Sequence, residues 1–212
     1  MTSKSMTSIQ GRRQLSPALQ QKMMQVRERY GNRENFLQVM NPAVQRYAAR
    51  NPERCFLGEA PSLALINHTY GSNTATMWLI PQLVDLVAFT NSRQLLNDQQ
   101  VAMVSEMIAQ EYGNLKCSEL MLFFHWFKLG KYGHFYGSVD PMLITTAINK
   151  FMHDRNEVLY RYEIQQQQLQ REQWIRDAIT PQEYCKLHGL PDMESVIEIM
   201  KYEANIKDNH DK

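Results

Sequence analysis

Between Ser118 and Leu129 the chain places Leu120, Met121, Leu122, Phe123, Phe124, Trp126, Phe127 and Leu129 so closely that, wound as a helix, they point apolar groups almost all round. A helix without a polar face cannot lie on a surface, so the rest of the chain must surround it. Ser118 is the expected cap of this helix. The apolar density continues downstream: the fifteen residues from Phe123 to Gly137 hold seven of the 21 aromatics and three of the nine glycines.

Helix signals dominate elsewhere. Ser16-Pro17 sets a capping residue before a proline at the first helical position, Leu19, Met23, Met24, Val26 and Tyr30 follow, and Gly31 is the stop. Asn41-Pro42 repeats the start for a short helix ending near Asn51-Pro52, and residues 51–61 read as a connection. Leu63–Tyr70 and Thr74–Phe89 read as helices separated by Gly71-Ser72-Asn73, with Pro81 predicting a kink or a break after Ile80. From Asn97 or Asp98 to Gly113 a capped amphipathic helix puts Val101, Val104, Met107 and Ile108 on one face. Asp140-Pro141 opens a longer one, whose apolar seam Ile144, Ile148, Phe151, Val158 and Tyr162 is interrupted by Arg155. Beyond Tyr162 the helix-forming residues continue while apolar ones thin to Ile164, Leu169, Trp174 and Ile175. An unbroken helix from Pro141 to Ala178 would span roughly 55 Å at 1.5 Å per residue. Thr180-Pro181 caps a further short helix, Gly189-Leu190-Pro191 turns the chain, and Met193–Tyr202 reads as a last amphipathic helix. There is no strand alternation and no internal repeat.

These readings predict an all-α fold: a basic helical arm over residues 1–60, a central helical bundle over 61–162, and an extended helix with C-terminal docking helices over 163–212. A length of 212 residues at 43% apolar suffices for a sizeable core. Cys55, Cys117 and Cys185 lie far apart and are odd in number, which argues against a disulfide framework and for a reducing compartment. The first residues lack an apolar signal core and no run approaches a membrane span, so a soluble, cytoplasmic protein without a membrane partner is expected.

The net charge of +1 hides an asymmetry. Residues 1–60 carry ten Lys/Arg against four Asp/Glu, residues 61–150 five against six, and residues 151–212 eight against twelve. The basic end reads as a solvated helix surface or as an electrostatic footprint for nucleic acid, with Arg12, Arg13, Lys22, Arg27, Arg29 and Arg33 as the cations that would release counterions from phosphates.

The loop Gly130–Gly137 (GKYGHFYG) is the first candidate interaction site. Its glycines permit positive φ and close approach, yet the spacing fails the phosphate-loop pattern and no strand precedes it. Tyr132, Phe135 and Tyr136 could stack on bases or fill a partner's pocket, with Lys128, Lys131 and His134 alongside, or the rings could anchor the loop to the core. Asp140 reads as a cap. Arg155 is either half-buried against a carboxylate or exposed where the seam ends. His153 and Glu157 have a metal-compatible spacing without a third ligand, so no metal and no cofactor is expected. His125 reads as a core histidine. The C-terminal TPQEYCKLHGLPDMESVIEIMK has a helix-turn-helix spacing, but Asp192, Glu194 and Glu198 would meet phosphates with the wrong sign, so a partner-binding helix pair fits better.

The run of Phe127, Gly130, Tyr132, Gly133, Tyr136, Gly137, Asp140 and Pro141 with Arg155 downstream resembles a family of uncharacterised helical proteins from Bacteroidetes mobile elements and phages. The likeness covers about residues 60–162 and brings no established activity; its setting implies DNA replication or maintenance. The chain also lacks a nucleotide loop, paired catalytic carboxylates and a nucleophile elbow, so the expected function is a non-enzymatic protein-interaction adaptor of a replication machinery, helicase-loader-like, with Lys128, Gly130, Lys131, Tyr132, Gly133, Tyr136, Gly137, Asp140 and Arg155 as its interaction loop. The rival expectation is a nucleic-acid-binding module, for DNA or RNA, built on the basic arm.

Overall fold

Short-range capping sets most of the helix starts. The computed structural model describes residues 15–90, 96–133, 140–178 and 180–189, with 191, 194, 195, 197 and 198. Ser16 Oγ accepts from Leu19 N at 3.3 Å to open α1 (Pro17–Tyr30), and Asn32 Oδ1 accepts from Asn35 N at 2.8 Å to open α2 (Arg33–Val39). Sequence reading missed α2, whose seven residues carry too few apolar positions to show a period. A 3-10 turn over Pro42–Val44 runs into α3 (Gln45–Ala48), and α4 (Pro52–Leu57) occupies the segment expected to be a connection. Then follow α5 (Leu63–Tyr70), α6 (Thr74–Thr90), α7 (Asp98–Glu111), α8 (Cys117–Lys128), α9 (Pro141–Asp177) and α10 (Pro181–His188). The all-α expectation holds: among the described residues there is no strand, and one isolated bridge joins Ser62 to Lys116.

Three local expectations are corrected. Helix α6 continues through Pro81, which overturns the break of the two alternatives; Met77 and Pro81 both lie on its exposed side, where water can serve the carbonyl that loses its N–H partner. On α7 the buried face is Val101, Val104, Ser105 and Ile108, while Met107 is 46% exposed. Ser105 turns inward at no polar cost because its Oγ donates to Val101 O at 2.8 Å. Helix α8 starts one residue before Ser118, whose hydroxyl instead donates to Cys55 O at 2.9 Å.

The chain divides into two units, one reaching to Leu159 and one from Tyr160 onward. In the first, α8 is surrounded as its composition requires: Leu120, Leu122, Phe123, Phe124 and Phe127 are fully enclosed. Around it α6 packs on both α7 and α8, and α3 and α4 pack on α8. The segment read as an arm shares this core. Phe36, Met40, Cys55 and Phe56 belong to the same buried cluster as Trp78, Phe123 and Phe151, and α1 packs on α5. From α9 only Ile144, Ala147, Ile148 and Phe151 are buried.

In the second unit, residues 160–178 are exposed at every position. Helix α9 itself runs unbroken for 37 residues, about 55 Å at the standard rise. Thr180 and Glu183 form a reciprocal capping box at the start of α10, and Gly189 closes it. Most of the expected last helix, Met193–Tyr202, lies outside the described residues. No helix among the described residues is long and apolar enough to cross a membrane.

Candidate functional site

Two clefts and two polar knots take in several of the residues singled out from sequence. The first knot joins α8 to α9. Glu119 is fully buried, and its Oε1 accepts from Arg155 Nε at 2.8 Å while its Oε2 accepts from Lys116 N at 2.8 Å. Lys116 Nζ in turn donates to Phe56 O at 2.6 Å and Gly58 O at 2.8 Å, tying the end of α4 to the start of α8. Arg155 thus takes the half-buried, carboxylate-paired alternative. Glu119 was not singled out from sequence, though the signal was there: a lone acid inside an apolar helix needs a cation, and Arg155 breaks an apolar seam for the same reason.

A second polar knot lies at the end of α8. Lys128 pairs with Asp85 and donates to Gln45 Oε1 at 2.9 Å; Gln45 Nε2 donates to Gln82 Oε1 at 2.7 Å, and Gln82 Nε2 to Met40 O at 3.2 Å. Trp78 Nε1 donates to the same carbonyl at 2.7 Å. The buried glutamines are thereby satisfied, and the Lys128 ammonium is committed to α3 and α6.

Beyond α8, Gly130 and Gly133 sit at φ 80° and 140°, backbone that side chains rarely adopt, and this turns Tyr132 back onto the helix it follows. Its ring stacks on Phe123 at 6.0 Å between centroids, meets Phe151 edge-on at 6.1 Å, and is 5% exposed. The hydroxyl donates to Asp154 Oδ2 at 3.0 Å, and burial together with the Asp154 charge pushes its pKa up. Burial raises the pKa of Asp154, but hydrogen bonds from Lys131 and Tyr132 outweigh this and leave it below the usual carboxylate value. Lys131 Nζ lies 2.9 Å from Asp154 and 3.6 Å from the centre of the Trp126 ring. Asp140 is the cap of α9, its Oδ1 accepting from Met142 N at 2.8 Å. Of the expected interaction loop, Tyr136 and Gly137, with His134 and Phe135, lie outside the described residues. Of the described members, Lys128 is held by α3 and α6, while the others with side-chain partners fasten α8 to α9: Tyr132 and Lys131 reach Asp154, Asp140 caps, and Arg155 holds Glu119. The outer side of this junction is an open cleft of about 610 Å³ bordered by Lys131, Lys150, His153 and Asp154.

The other cleft, about 570 Å³, lies on the basic N-terminal segment. It brings together Lys22 and Arg29 of α1 with Lys116, Glu59 and Asn114, above Val26, Tyr30 and Leu65. Of the six cations expected to bind nucleic acid, Lys22 and Arg29 line this cleft. Arg27 is spent on Thr69 O at 2.8 Å, and Arg33 pairs with Glu34 at 3.2 Å. Arg12 and Arg13 lie outside the described residues. Sequence reading missed Lys116 and Glu59, which reach this cleft from the other side.

A catalytic reading would have to gather His125, His134, Asp140 and Arg155; His134 lies outside the described residues, and neither cleft is lined by the other three. His125 is half-buried, and burial with the nearby Lys128 charge lowers its pKa.

A family model described as a family of unknown function (DUF6633) matches residues 96–190, from the start of α7 through α10. No curated protein and no solved structure matches the chain. The matched stretch spans the residues of the glycine-aromatic run and Arg155, and it fits an uncharacterised family.

Proposed function

We propose that this chain is a non-enzymatic protein-interaction adaptor, a cytoplasmic replication accessory of helicase-loader type in a mobile element or phage, which docks its partner through the acidic C-terminal segment. One observation carries the reading. From Tyr160 to Ala178 no side chain is buried, yet Tyr160, Ile164, Leu169, Trp174 and Ile175 leave 64, 36, 45, 68 and 67% of their surface in water. At 3.6 residues per turn Tyr160, Ile164, Trp174 and Ile175 fall within roughly a third of the helix circumference. Such a stripe gains free energy by entering an apolar groove, at roughly 25 cal/mol per Å² removed from water. The rest of the proposal, the replication setting, rests on the resemblance of the Phe127–Arg155 motif.

The test is capture of a replication helicase from the native host by the full chain and by a Trp174→Ser, Ile175→Ser variant. Both substitutions are at exposed positions, so the variant should fold as the parent does and lose the helicase. Undiminished capture would refute the docking stripe. Deleting residues 164–212 should likewise abolish capture and leave a cooperatively folding body; if the body unfolds, those residues are core and the reading fails.

A further inference from the structure

The cleft on α1 has a charge that nothing inside the fold explains. Lys22 and Arg29 make no ion pair among the described residues, and the Arg29 guanidinium lies over the Tyr30 ring, 5.5 Å away. Lys116 adds a third cation, and the two carbonyls it holds occupy two of its three N–H groups, leaving one unspent. Its near neighbour Glu119 cannot neutralise it, because that carboxylate is taken by Arg155. Glu59 is the one carboxylate lining the cleft, so its walls carry an excess of two positive charges. The floor of Val26, Tyr30 and Leu65 is apolar, and the volume lies in the range of small-molecule sites.

We infer that this cleft binds a phosphomonoester of about nucleotide size. A phosphomonoester is close to a dianion at neutral pH and matches the excess of two, whereas a carboxylate or a backbone phosphodiester carries one charge. Arg29 presents a planar fork suited to two phosphate oxygens, Lys22 approaches as a point charge from about two helical turns away on the same face of α1, and the apolar floor takes the organic part of the ligand. Glu59, exposed at the cleft, disfavours additional negative charge and can accept hydrogen bonds from hydroxyl groups, which suits a sugar next to the phosphate. This assignment stands apart from the docking stripe, since every residue it uses precedes Tyr160.

The test uses the full chain and isothermal titration with three probes: AMP, adenosine, and an unphosphorylated dT12 that carries phosphodiesters only. AMP should bind, and adenosine should bind at least about tenfold more weakly, the factor expected for losing one charge-assisted contact. Lys22→Gln and Arg29→Gln, both at exposed positions, should each weaken AMP at least about tenfold without moving the melting temperature, while Lys150→Gln at the second cleft should leave it unchanged. No AMP binding up to about 5 mM, equal binding of AMP and adenosine, or an effect of Lys150→Gln in place of Arg29→Gln would each overturn the inference. Binding of dT12 with none of AMP would overturn it in favour of a nucleic-acid backbone.

Discussion

Replacing Arg155 by Ala isolates the energetic consequence of the α8–α9 knot. In the folded chain the Glu119 carboxylate is wholly out of water, with one oxygen on Arg155 Nε and the other on Lys116 N, both at 2.8 Å. Removing the guanidinium deletes a charge-assisted bond, itself about 1.5–3 kcal/mol, and leaves a buried anion whose hydration cannot be restored without opening the α8 face. The combined loss expected for breaking such a pair is about 3–5 kcal/mol. For a chain of this length each kcal/mol lowers the melting temperature by roughly 2–4 °C, so the variant should melt about 6–20 °C below the parent. Urea unfolding followed at 222 nm should show the midpoint falling at constant m-value. A double variant, Glu119→Leu with Arg155→Met, should recover at least half of the loss, because it removes both charges and fills their volume with apolar groups. Loss of less than about 1 kcal/mol for Arg155→Ala, or a double variant as unstable as the sum of the two single ones, would refute the reasoning.

Three further outcomes follow from the same geometry. Tyr132→Phe should lose no more than about 1 kcal/mol at neutral pH, since its partner Asp154 is partly exposed and water can replace the phenol. The folded pKa of Asp154 is depressed, so its contribution is present above the ordinary value of 3.8 and disappears as the pH falls through the lower folded value; melting curves of parent and variant should converge there. Asp140→Ala should cost about 1 kcal/mol through loss of the α9 cap, measurable by urea titration, and Asp140→Asn should restore most of it. Iodoacetamide at pH 8 should leave Cys55 and Cys117 of the folded chain unmodified by mass spectrometry, because burial pushes the Cys55 thiol up to about 11 and raises Cys117 as well.

The sequence by itself determined where several of the helices begin. Ser16, Asn97, Asp140 and Thr180 cap donors two or three residues away, an interaction complete within one turn and therefore readable from a short window. It also determined that α8 must be surrounded, since a helix apolar on all sides has no other stable environment. Tertiary structure alone decided what surrounds it. Phe36 and Phe56 come from a segment whose charge made it look like a solvated arm, and charge on one face of a short helix says nothing of what the opposite face touches. The choice between Met107 and Ser105 for the inner face of α7 likewise depended on a neighbour, because helical periodicity allows both. In the glycine-aromatic motif the sequence left open whether the rings meet a partner or the core. Tyr132 is placed in the core by Phe123 and Phe151, nine residues before it and nineteen after, and Arg155 is placed by a glutamate 36 residues away. The α1 cleft was legible only in half: Lys22 and Arg29 are one face of a helix, while Lys116 and Glu59 arrive through the chain crossing beside Ser62, a long-range pairing that no local pattern encodes.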